Sequence, residues 1–131
     1  MSITVTKDVF QLAEVFTISR GSRTEAQVLT ARVDRDGVVG QGECVPYARY
    51  GETLDSVIEE ILSLPSEITR AALQGALPAG AARNAVDCAL WDWEAKSKGV
   101  RVWDILGLPE PKPEITAYTL SLGEPDAMEA S

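Results

Sequence analysis

The stretch that decides the fold is ARNAVDCALWDWEAKSKG, residues 82–99. Its apolar residues recur at helical spacing and cover most of the circumference, while two lysines and Gly99 favour a helix end at this point. The apolar face contains Ala82, Ala85, Val86, Ala89, Leu90 and Trp93, with Cys88 and Trp91 beside it. The pattern predicts a helix over roughly residues 79–98, opened by Pro78 and buried against more than one neighbour.

Upstream of this helix, the sequence carries the alternation and the β-branched residues that are typical of strands. Extended sequence over 2–18 is followed by an opening loop at 19–24, a second strand at 25–33 and a third strand from Val38. The tetrapeptide DRDG, residues 34–37, is typical of a hairpin turn, because Asp and Gly adopt turn dihedrals at little cost. We therefore predict an α+β fold, with a three-stranded antiparallel meander followed by a helical bundle.

Two shorter helices are predicted between the meander and the long helix. Thr53 is a suitable N-cap for the apolar-periodic segment 54–64. A second helix is expected to begin at Pro65 and Ser66 and to continue to residue 77, because proline is favoured in the first helical turn.

The C-terminal part of the sequence changes character at three alternating prolines within residues 109–113, which are typical of an extended linker. The segment ITAYTLSLG, residues 115–123, is predicted to form a strand, and the residues after it indicate the start of another helix. A lone strand and a helix start do not make a domain. We therefore expect one domain over 1–112, and over 113–131 the beginning of a second domain that is cut off.

The acidic composition limits the possible partners. The 131 residues include 12 Lys and Arg against 20 Asp and Glu, a net charge of −8, and 45% are hydrophobic, which is enough for a core. This charge argues against nucleic acid and anionic membrane surfaces as partners, because both require basic patches. With no membrane-spanning segment and no secretory signal in sight, a cytoplasmic location is expected.

The absence of histidine narrows the chemistry further. It excludes Ser-His and Cys-His catalytic arrangements, and the two cysteines, Cys44 and Cys88, do not complete a zinc site by themselves. Both are expected to be buried thiols. Catalysis by this chain would need Lys, Asp, Glu, Tyr or a metal held by carboxylates.

Two aspartates, Asp87 and Asp92, lie within the apolar helix. We expect them to accept hydrogen bonds from backbone or from an arginine, and Arg83 has the i,i+4 spacing to pair with Asp87. A catalytic role is the less favoured alternative, because no lysine or second carboxylate clusters with them in a known spacing.

Four segments carry a resemblance to a known family: ISRGSR at 18–23, GECVPYARYGET at 42–53, PAGAARNAVDCALWD at 78–92 and VWDILG at 102–107. With the meander, they resemble the N-terminal capping domain of the enolase superfamily, in its muconate-lactonizing branch, and in particular the dipeptide epimerases of that branch. The resemblance covers nearly the whole chain. It implies an enolase-type cap, followed by the first strand of a modified (β/α)₈ barrel.

The resemblance implies 1,1-proton transfer at the carbon α to a carboxylate of a small dipeptide. In such enzymes two barrel lysines exchange the proton, and three barrel acids hold the Mg²⁺ that stabilises the enediolate. The sequence offers no match for these groups, so neither catalytic nor metal-binding residues are predicted in this chain. By itself the chain is expected to be inactive, and the full-length protein is expected to be a homo-oligomer.

The resemblance also implies that two cap loops, residues 18–24 and 45–52, cover the barrel mouth and select the substrate. Arg23 is the first candidate and Arg20 the second for binding the distal carboxylate of a Glu-containing dipeptide, because a guanidinium binds a carboxylate in a bidentate way. Thr119 is a further candidate, since barrel active sites lie at the C-terminal ends of strands.

Each of these side chains also has an ordinary structural interpretation. The arginines are alternatively solvated, or paired on the surface with Glu25 or Glu52. In the second loop, Tyr50 is a candidate for closing an apolar wall of the site and for offering its hydroxyl to a peptide group. Loop packing is the alternative for Tyr50, and it is also the alternative for Tyr47 and Arg49.

Three functions remain open from the sequence. The first is the specificity cap of a Mg²⁺-dependent dipeptide epimerase. The second is the cap of another enzyme of the branch, a muconate cycloisomerase or an o-succinylbenzoate synthase. The third is a free-standing α+β binding domain without chemistry of its own.

Overall fold

The computed structural model describes residues 1–129, which form a three-stranded sheet followed by helices. The strands are ordered β1-β2-β3, and β2 and β3 are antiparallel. The elements are β1 (Ser2–Ile18), β2 (Gly21–Arg35), β3 (Val38–Cys44), a 3₁₀ turn (Ala48–Tyr50), α1 (Leu54–Leu62), α2 (Arg70–Ala76), α3 (Ala81–Lys98), α4 (Val102–Ile105) and α5 (Pro125–Glu129). The predicted α+β class, with its meander and helical region, is confirmed.

The chain divides into two compact units. The first joins Met1–Asp8 to Val28–Pro111, and it holds the hydrophobic core. The second joins Val9–Gln27, the distal part of the β1–β2 hairpin, to the residues from Lys112 onward. The assignment of residues 113–131 to a separate second domain stays a prediction.

The core of the first unit is built from β2, from β3 and from the helices α1 to α3. Its largest fully buried side chains are Leu29, Val33, Val57, Ile61, Leu73 and Val86. The apolar face predicted for α3 is buried as expected, because it meets the sheet on one side and α1 and α2 on the other. Among residues 1–129, none of the helices combines the length and the apolar character needed to cross a lipid bilayer.

Two glycines of β3 let α3 approach the sheet more closely than side chains would allow. A Cβ built on Gly42 would lie 2.7 Å from the backbone nitrogen of Ala89 and 2.8 Å from the Cβ of Cys88. A Cβ built on Gly40 would lie 2.6 Å from the Cβ of Trp93. Real Cβ atoms essentially never come within 3.0 Å of other heavy atoms. The two glycines therefore set the distance between β3 and α3.

Polar side chains of α3 occupy outward-facing backbone groups of β3, which is an edge strand. Asp92 Oδ2 accepts a hydrogen bond from the backbone N–H of Gln41 at 2.8 Å. Lys96 Nζ donates to the carbonyl of Val39 at 3.1 Å and pairs with Asp92 at 2.6 Å. The expected backbone role of Asp92 is confirmed.

Asp87 does not pair with Arg83, so that prediction from i,i+4 spacing is wrong. Asp87 Oδ1 accepts instead from Gln74 Nε2 at 3.2 Å, and Arg83 Nη1 donates to the carbonyl of Leu77 at 3.4 Å. Gln74 lies in α2 and Leu77 directly follows it. The packing of α2 against α3 therefore overrides the local pair.

Two predictions that rest on local sequence, the hairpin turn and the N-cap of α1, are confirmed. Asp36 and Gly37 form the turn between β2 and β3 with positive φ angles of 54° and 77°, as a two-residue hairpin loop requires. Thr53 caps α1, since its side chain accepts from the backbone N–H of Ser56 at 3.1 Å. The Ser56 hydroxyl accepts in return from the N–H of Thr53 at 3.0 Å, which completes a capping box.

Helix α2 begins at Arg70, so the prediction that it begins at Pro65 is wrong. Its N-cap is Thr69, whose side chain accepts from the backbone N–H of Ala72 at 3.2 Å. The segment before Thr69 forms turns instead of helix.

A buried arginine explains this late start. Arg35 is only 7% exposed, and its Nη2 donates to the carbonyls of Ser66 at 2.7 Å and Ile68 at 2.8 Å. The indole N–H of Trp93 donates to the Arg35 carbonyl at 3.2 Å. The Cζ of the Arg35 guanidinium lies over the Trp93 ring, 5.2 Å from the ring centroid. Because carbonyls engaged by Arg35 are diverted from helix bonds, the segment before α2 stays in turns.

The two cysteines differ in exposure. Cys44 is buried as expected, but Cys88 is exposed, so the prediction for Cys88 is wrong. Cys88 lies one helical turn before Asp92, on the side of α3 that runs along the open edge of β3. The helix is not covered on this side. Burial raises the pKa of Cys44 to about 11.

Candidate functional site

The first predicted loop is a tight turn. β1 extends to Ile18 and β2 starts at Gly21, so only Ser19 and Arg20 lie outside the strands. Gly21 has a φ of 137°, which is a conformation that favours glycine. The prediction of a loop over 19–24 is wrong, because β2 already begins at Gly21. We call residues 17–23 the hairpin tip.

The hairpin tip presents two arginines to solvent. Arg20 lies in the turn and Arg23 lies within β2, and both are exposed. Within residues 1–129, neither guanidinium forms a hydrogen bond or a salt bridge. The carboxylate of Glu52, one of the alternative partners, binds backbone N–H groups of the first unit. Both cations are therefore available to an anion from outside the described residues.

The second predicted loop, residues 45–52, contains a short 3₁₀ turn that Gly51 closes with a left-handed φ of 78°. The rings of Tyr47 and Tyr50 are 5.7 Å apart and tilted by 50°. Tyr50 is 76% exposed, Arg49 is exposed and Tyr47 is half-buried. The two aromatic rings form a tilted pair, with the Tyr50 ring largely open to solvent.

The carboxylate of Glu52 holds this loop against the N-terminus of α3. Its Oε2 accepts from the backbone N–H of Tyr47 at 2.9 Å, and its Oε1 accepts from the N–H of Ala81 at 2.7 Å. The N-cap of α3 is Gly80, which has no side chain to satisfy the first helical N–H groups. A carboxylate is favoured at this position by the helix dipole as well. Glu52 therefore caps α3 and orders the loop.

A cleft of about 260 Å³ opens between this loop and α3. It is lined by Cys44, Val45, Tyr47, Tyr50, Glu52, Gly80, Ala81 and Asn84. Burial, with smaller contributions from Glu52 and Glu43, raises the pKa of the Cys44 thiol to about 11, so the thiol is protonated at neutral pH. The Glu52 carboxylate is engaged by backbone. The cleft therefore offers aromatic and amide contacts for binding, beside a thiol that is not activated as a nucleophile.

The C-terminal segment forms no regular sheet ladder within the described residues, although 115–123 was expected to be a strand. A backbone hydrogen bond joins the N–H of Leu122 to the carbonyl of Thr17 at 2.7 Å. Thr119 and Tyr118 are exposed. The predicted helix start is present as α5. A strand needs a neighbouring strand to satisfy its backbone groups along its length, and the described residues show no such ladder for 115–123. A barrel strand at 115–123 therefore stays a prediction.

Two lysines of α3 are engaged in ion pairs, and the described residues contain no cluster suited to a metal ion. In residues 1–129, no group of three or more carboxylates or thiols is placed to hold a metal ion. Lys96 and Lys98 form ion pairs with Asp92 and Glu94, each at 2.6 Å.

Two residues with a clear role at these surfaces were missed from the sequence. Glu52 acts across a separation of 29 residues, and the signal for it is the absence of a polar N-cap in the PAGAA segment at the start of α3. Ser121 makes two hydrogen bonds to β1, and no local pattern in the sequence indicates them.

Comparison with known proteins agrees with the fold. Residues 1–107 match the N-terminal domain of the mandelate racemase and muconate lactonizing enzyme family. The L-Ala-D/L-Glu epimerase of Escherichia coli K12 is 44% identical over 131 residues, which cover 97% of this chain and 41% of that protein.

Two solved structures are similar as well. An enolase family member from Agrobacterium tumefaciens, with homology to dipeptide epimerases and with bound sodium and L-Ala-L-Glu and an ordered loop, matches with a TM-score of 0.90 and 47% identity. The match covers 98% of this chain and 40% of that one. A dipeptide epimerase from Cytophaga hutchinsonii, complexed with Mg and D-Ala-L-Val, matches with a TM-score of 0.80 and 27% identity over 99% of this chain and 40% of its own. The chain therefore spans about two fifths of the length of these relatives.

Proposed function

We propose that this chain, which belongs to the mandelate racemase and muconate lactonizing enzyme family, is the substrate-specificity cap of an L-Ala-D/L-Glu epimerase. The reaction is removal and return of the proton on the α-carbon of the glutamyl residue. The proposal concerns the longer protein, since the chain covers 41% of the length of its Escherichia coli relative.

The observation that carries the proposal is the pair of exposed arginines on the hairpin tip, neither of which has an ion-pair partner within residues 1–129. An acidic chain that exposes two cations at one hairpin tip, without ion pairs to the described residues, is suited to an anionic ligand. A guanidinium engages both oxygens of a carboxylate, so it distinguishes a glutamyl side chain from an amide of the same shape. Arg23 is held within β2, which fixes its backbone more firmly than the turn fixes Arg20. We therefore place Arg23 first and Arg20 second as ligands of the distal carboxylate.

The second loop supplies a different kind of contact. Tyr50 is largely exposed while Glu52 orders its loop, so the ring is presented on a fixed backbone, and its hydroxyl makes no hydrogen bond within residues 1–129. Such a side chain packs against an apolar part of a substrate and binds a peptide group through its hydroxyl. We propose that Tyr50 contributes a wall of the binding site. Thr119 is proposed as a further pocket residue at the end of the first barrel strand.

Proton transfer itself is not assigned to this chain. Mg is present in the Cytophaga hutchinsonii relative, and such an ion supplies charge stabilisation for an enediolate. The described residues do not fit such an ion, since none of their acidic groups are clustered for one. Metal ligands and proton-transferring lysines would have to come from residues outside this chain.

The alternatives lead to different expectations. A cap of a muconate cycloisomerase or of an o-succinylbenzoate synthase would not need to discriminate glutamyl from glutaminyl dipeptides. A free-standing binding domain is disfavoured, because the match over residues 1–107 identifies the chain as the N-terminal domain of a family of enzymes. Homo-oligomerisation and a cytoplasmic location stay predictions, to be checked on the full-length protein by sedimentation and cell fractionation.

The proposal is tested with Arg23→Met in the full-length protein. L-Ala-L-Glu and its neutral isostere L-Ala-L-Gln are assayed in D₂O, and NMR follows exchange of the α-proton. Loss of a charge-assisted hydrogen bond of about 1.5–3 kcal/mol corresponds to a roughly 10- to 150-fold decrease of kcat/KM for L-Ala-L-Glu. The value for L-Ala-L-Gln is expected to stay within about twofold, since its amide gains little from the guanidinium.

The matched control is Arg32→Met, which removes another exposed arginine of β2 and should leave both substrates unaffected. Equal losses for the two substrates in Arg23→Met contradict the carboxylate role. A wild-type protein that exchanges the α-proton of neither dipeptide contradicts the epimerase function.

A further inference from the structure

We infer that Ser121 is a positioning residue, which fixes the arginine-bearing hairpin tip against the C-terminal segment of the chain. Its hydroxyl accepts a hydrogen bond from the backbone N–H of Thr17 at 2.9 Å and donates to the carbonyl of Val15 at 3.2 Å. Both the donating and the accepting capacity of one hydroxyl are thus used on neighbouring groups of β1. All the atoms involved belong to the second unit.

These contacts lie at an open edge of the sheet. β1 is an edge strand, so the N–H and carbonyl of alternate residues point away from β2. Ser121 occupies two of these groups, and the N–H of Leu122 donates to a third, the carbonyl of Thr17, at 2.7 Å. Two consecutive residues therefore satisfy three edge groups just before the turn. A residue without a hydroxyl at 121 would leave the Thr17 N–H and the Val15 carbonyl to water.

The contacts continue from Thr17 across the turn. The hydroxyl of Thr17 lies 2.8 Å from the hydroxyl of Ser22, within hydrogen-bonding distance. Ser22 lies between Arg20 and Arg23 in the sequence. Ser121 is thereby connected through one residue, Thr17, to the backbone that carries both arginines. Holding that backbone reduces the number of orientations the guanidinium groups explore before a ligand arrives.

This inference rests on the proposed function only for its effect on substrate selection. If the hairpin tip binds a glutamyl carboxylate, Ser121 acts on that binding through Thr17 without touching the ligand. Its loss is expected to raise KM for the acidic substrate and to leave kcat nearly unchanged, because the reacting atoms lie elsewhere. The effect on the order of the tip is independent of any substrate.

The test uses Ser121→Ala in the full-length protein without substrate. Trypsin cleaves after arginine, so the bonds after Arg20 and Arg23 report directly on how often the tip opens. Loss of the hydroxyl contacts is expected to accelerate cleavage at these bonds and amide exchange of Thr17 by roughly five- to tenfold. Ser121→Thr, which keeps the hydroxyl, is expected to restore protection.

Two controls make the result specific. Thr116→Ala removes an exposed hydroxyl from the same C-terminal segment and should leave cleavage unchanged. The amide of Val33, a fully buried residue of β2 in the first unit, should keep its protection, which shows that the core remains folded. Unchanged cleavage at the tip and unchanged exchange of Thr17 in Ser121→Ala overturn the inference.

The substrate measurement separates the two proposals. A rise in KM for L-Ala-L-Glu, with L-Ala-L-Gln unaffected, supports the positioning role in substrate selection. Faster cleavage at the tip in a protein that shows no epimerase activity supports the positioning role and contradicts the proposed function. A rise in KM that Ser121→Thr fails to restore contradicts the hydrogen-bonding role of residue 121.

Discussion

The carboxylate of Glu52 caps helix α3 at the backbone N–H of Ala81, 2.7 Å away, although 29 residues separate the two. The same carboxylate binds the backbone of Tyr47, so one side chain fixes both the start of a core helix and the backbone of a candidate binding loop. The position of Tyr50 is consequently coupled to the stability of α3.

Glu52→Ala is expected to lower the free energy of unfolding by about 1–2 kcal/mol, because it removes a helix cap and a second charge-assisted hydrogen bond. Urea denaturation followed by circular dichroism measures the change. The matched control is Glu43→Ala, since the side chain of Glu43 is exposed and makes no hydrogen bond within the described residues. Equal effects of the two substitutions would contradict the capping role.

Gly42→Ala is expected to destabilise the protein by about 1–3 kcal/mol or more, because the new methyl group would overlap with the backbone of α3. The control substitution is expected to change the free energy of unfolding in the opposite direction. A methyl group at Gly75, in α2, meets no atom within 4 Å, so Gly75→Ala should stabilise the helix by roughly 0.5–1 kcal/mol. Urea midpoints of the two variants on either side of the wild-type value would confirm the packing argument. A Gly42→Ala midpoint equal to that of the wild type would refute it.

Glu94 is expected to make stability depend on pH in the acidic range. Hydrogen bonds from Lys98 and then from Arg70 lower its pKa below the ordinary value of 4.5. Arg70 is itself held in place by stacking on Trp91, 3.4 Å from the ring centroid. Because the folded pKa is the lower one, the stabilisation is present above pH 4.5 and is lost as the pH falls through the folded pKa.

The free energy of unfolding is measured from pH 5 to pH 3, a window of about two units that includes the unfolded pKa. It should fall less steeply with decreasing pH in Glu94→Gln than in the wild type. Glu59→Gln, at an exposed position of α1, is the control and should keep the slope of the wild type. Parallel pH profiles for wild type and Glu94→Gln would show that the ion pairs do not contribute.

The elements predicted correctly from sequence are those whose signals are local. Helix α3 combines an apolar period with a glycine end, and the turn at Asp36 and Gly37 needs only residues that accept positive φ angles. Thr53 likewise indicates the start of α1, because its own side chain is the N-cap. In each case the residues that determine the structure are neighbours in the chain, so their pattern is visible without knowledge of the fold.

The errors arise where a distant group decides the outcome. The start of α2 depends on Arg35, which is more than thirty residues away and removes carbonyls from the helix. Asp87 chooses Gln74 over Arg83 because two helices pack together. Residues 19–24 were predicted as a loop because Gly21 and Ser22, directly before Arg23, interrupt the apolar alternation that indicates a strand.

The outward groups of β3 that Asp92 and Lys96 occupy have a consequence for self-association. An unpaired edge strand is a template to which a strand of another molecule can add, and such addition begins many aggregation processes. Here an incoming strand would have to displace a carboxylate from Gln41 and an ammonium group from Val39. The ion pair on α3 therefore acts as a barrier to intermolecular sheet growth, and it does so without an additional strand.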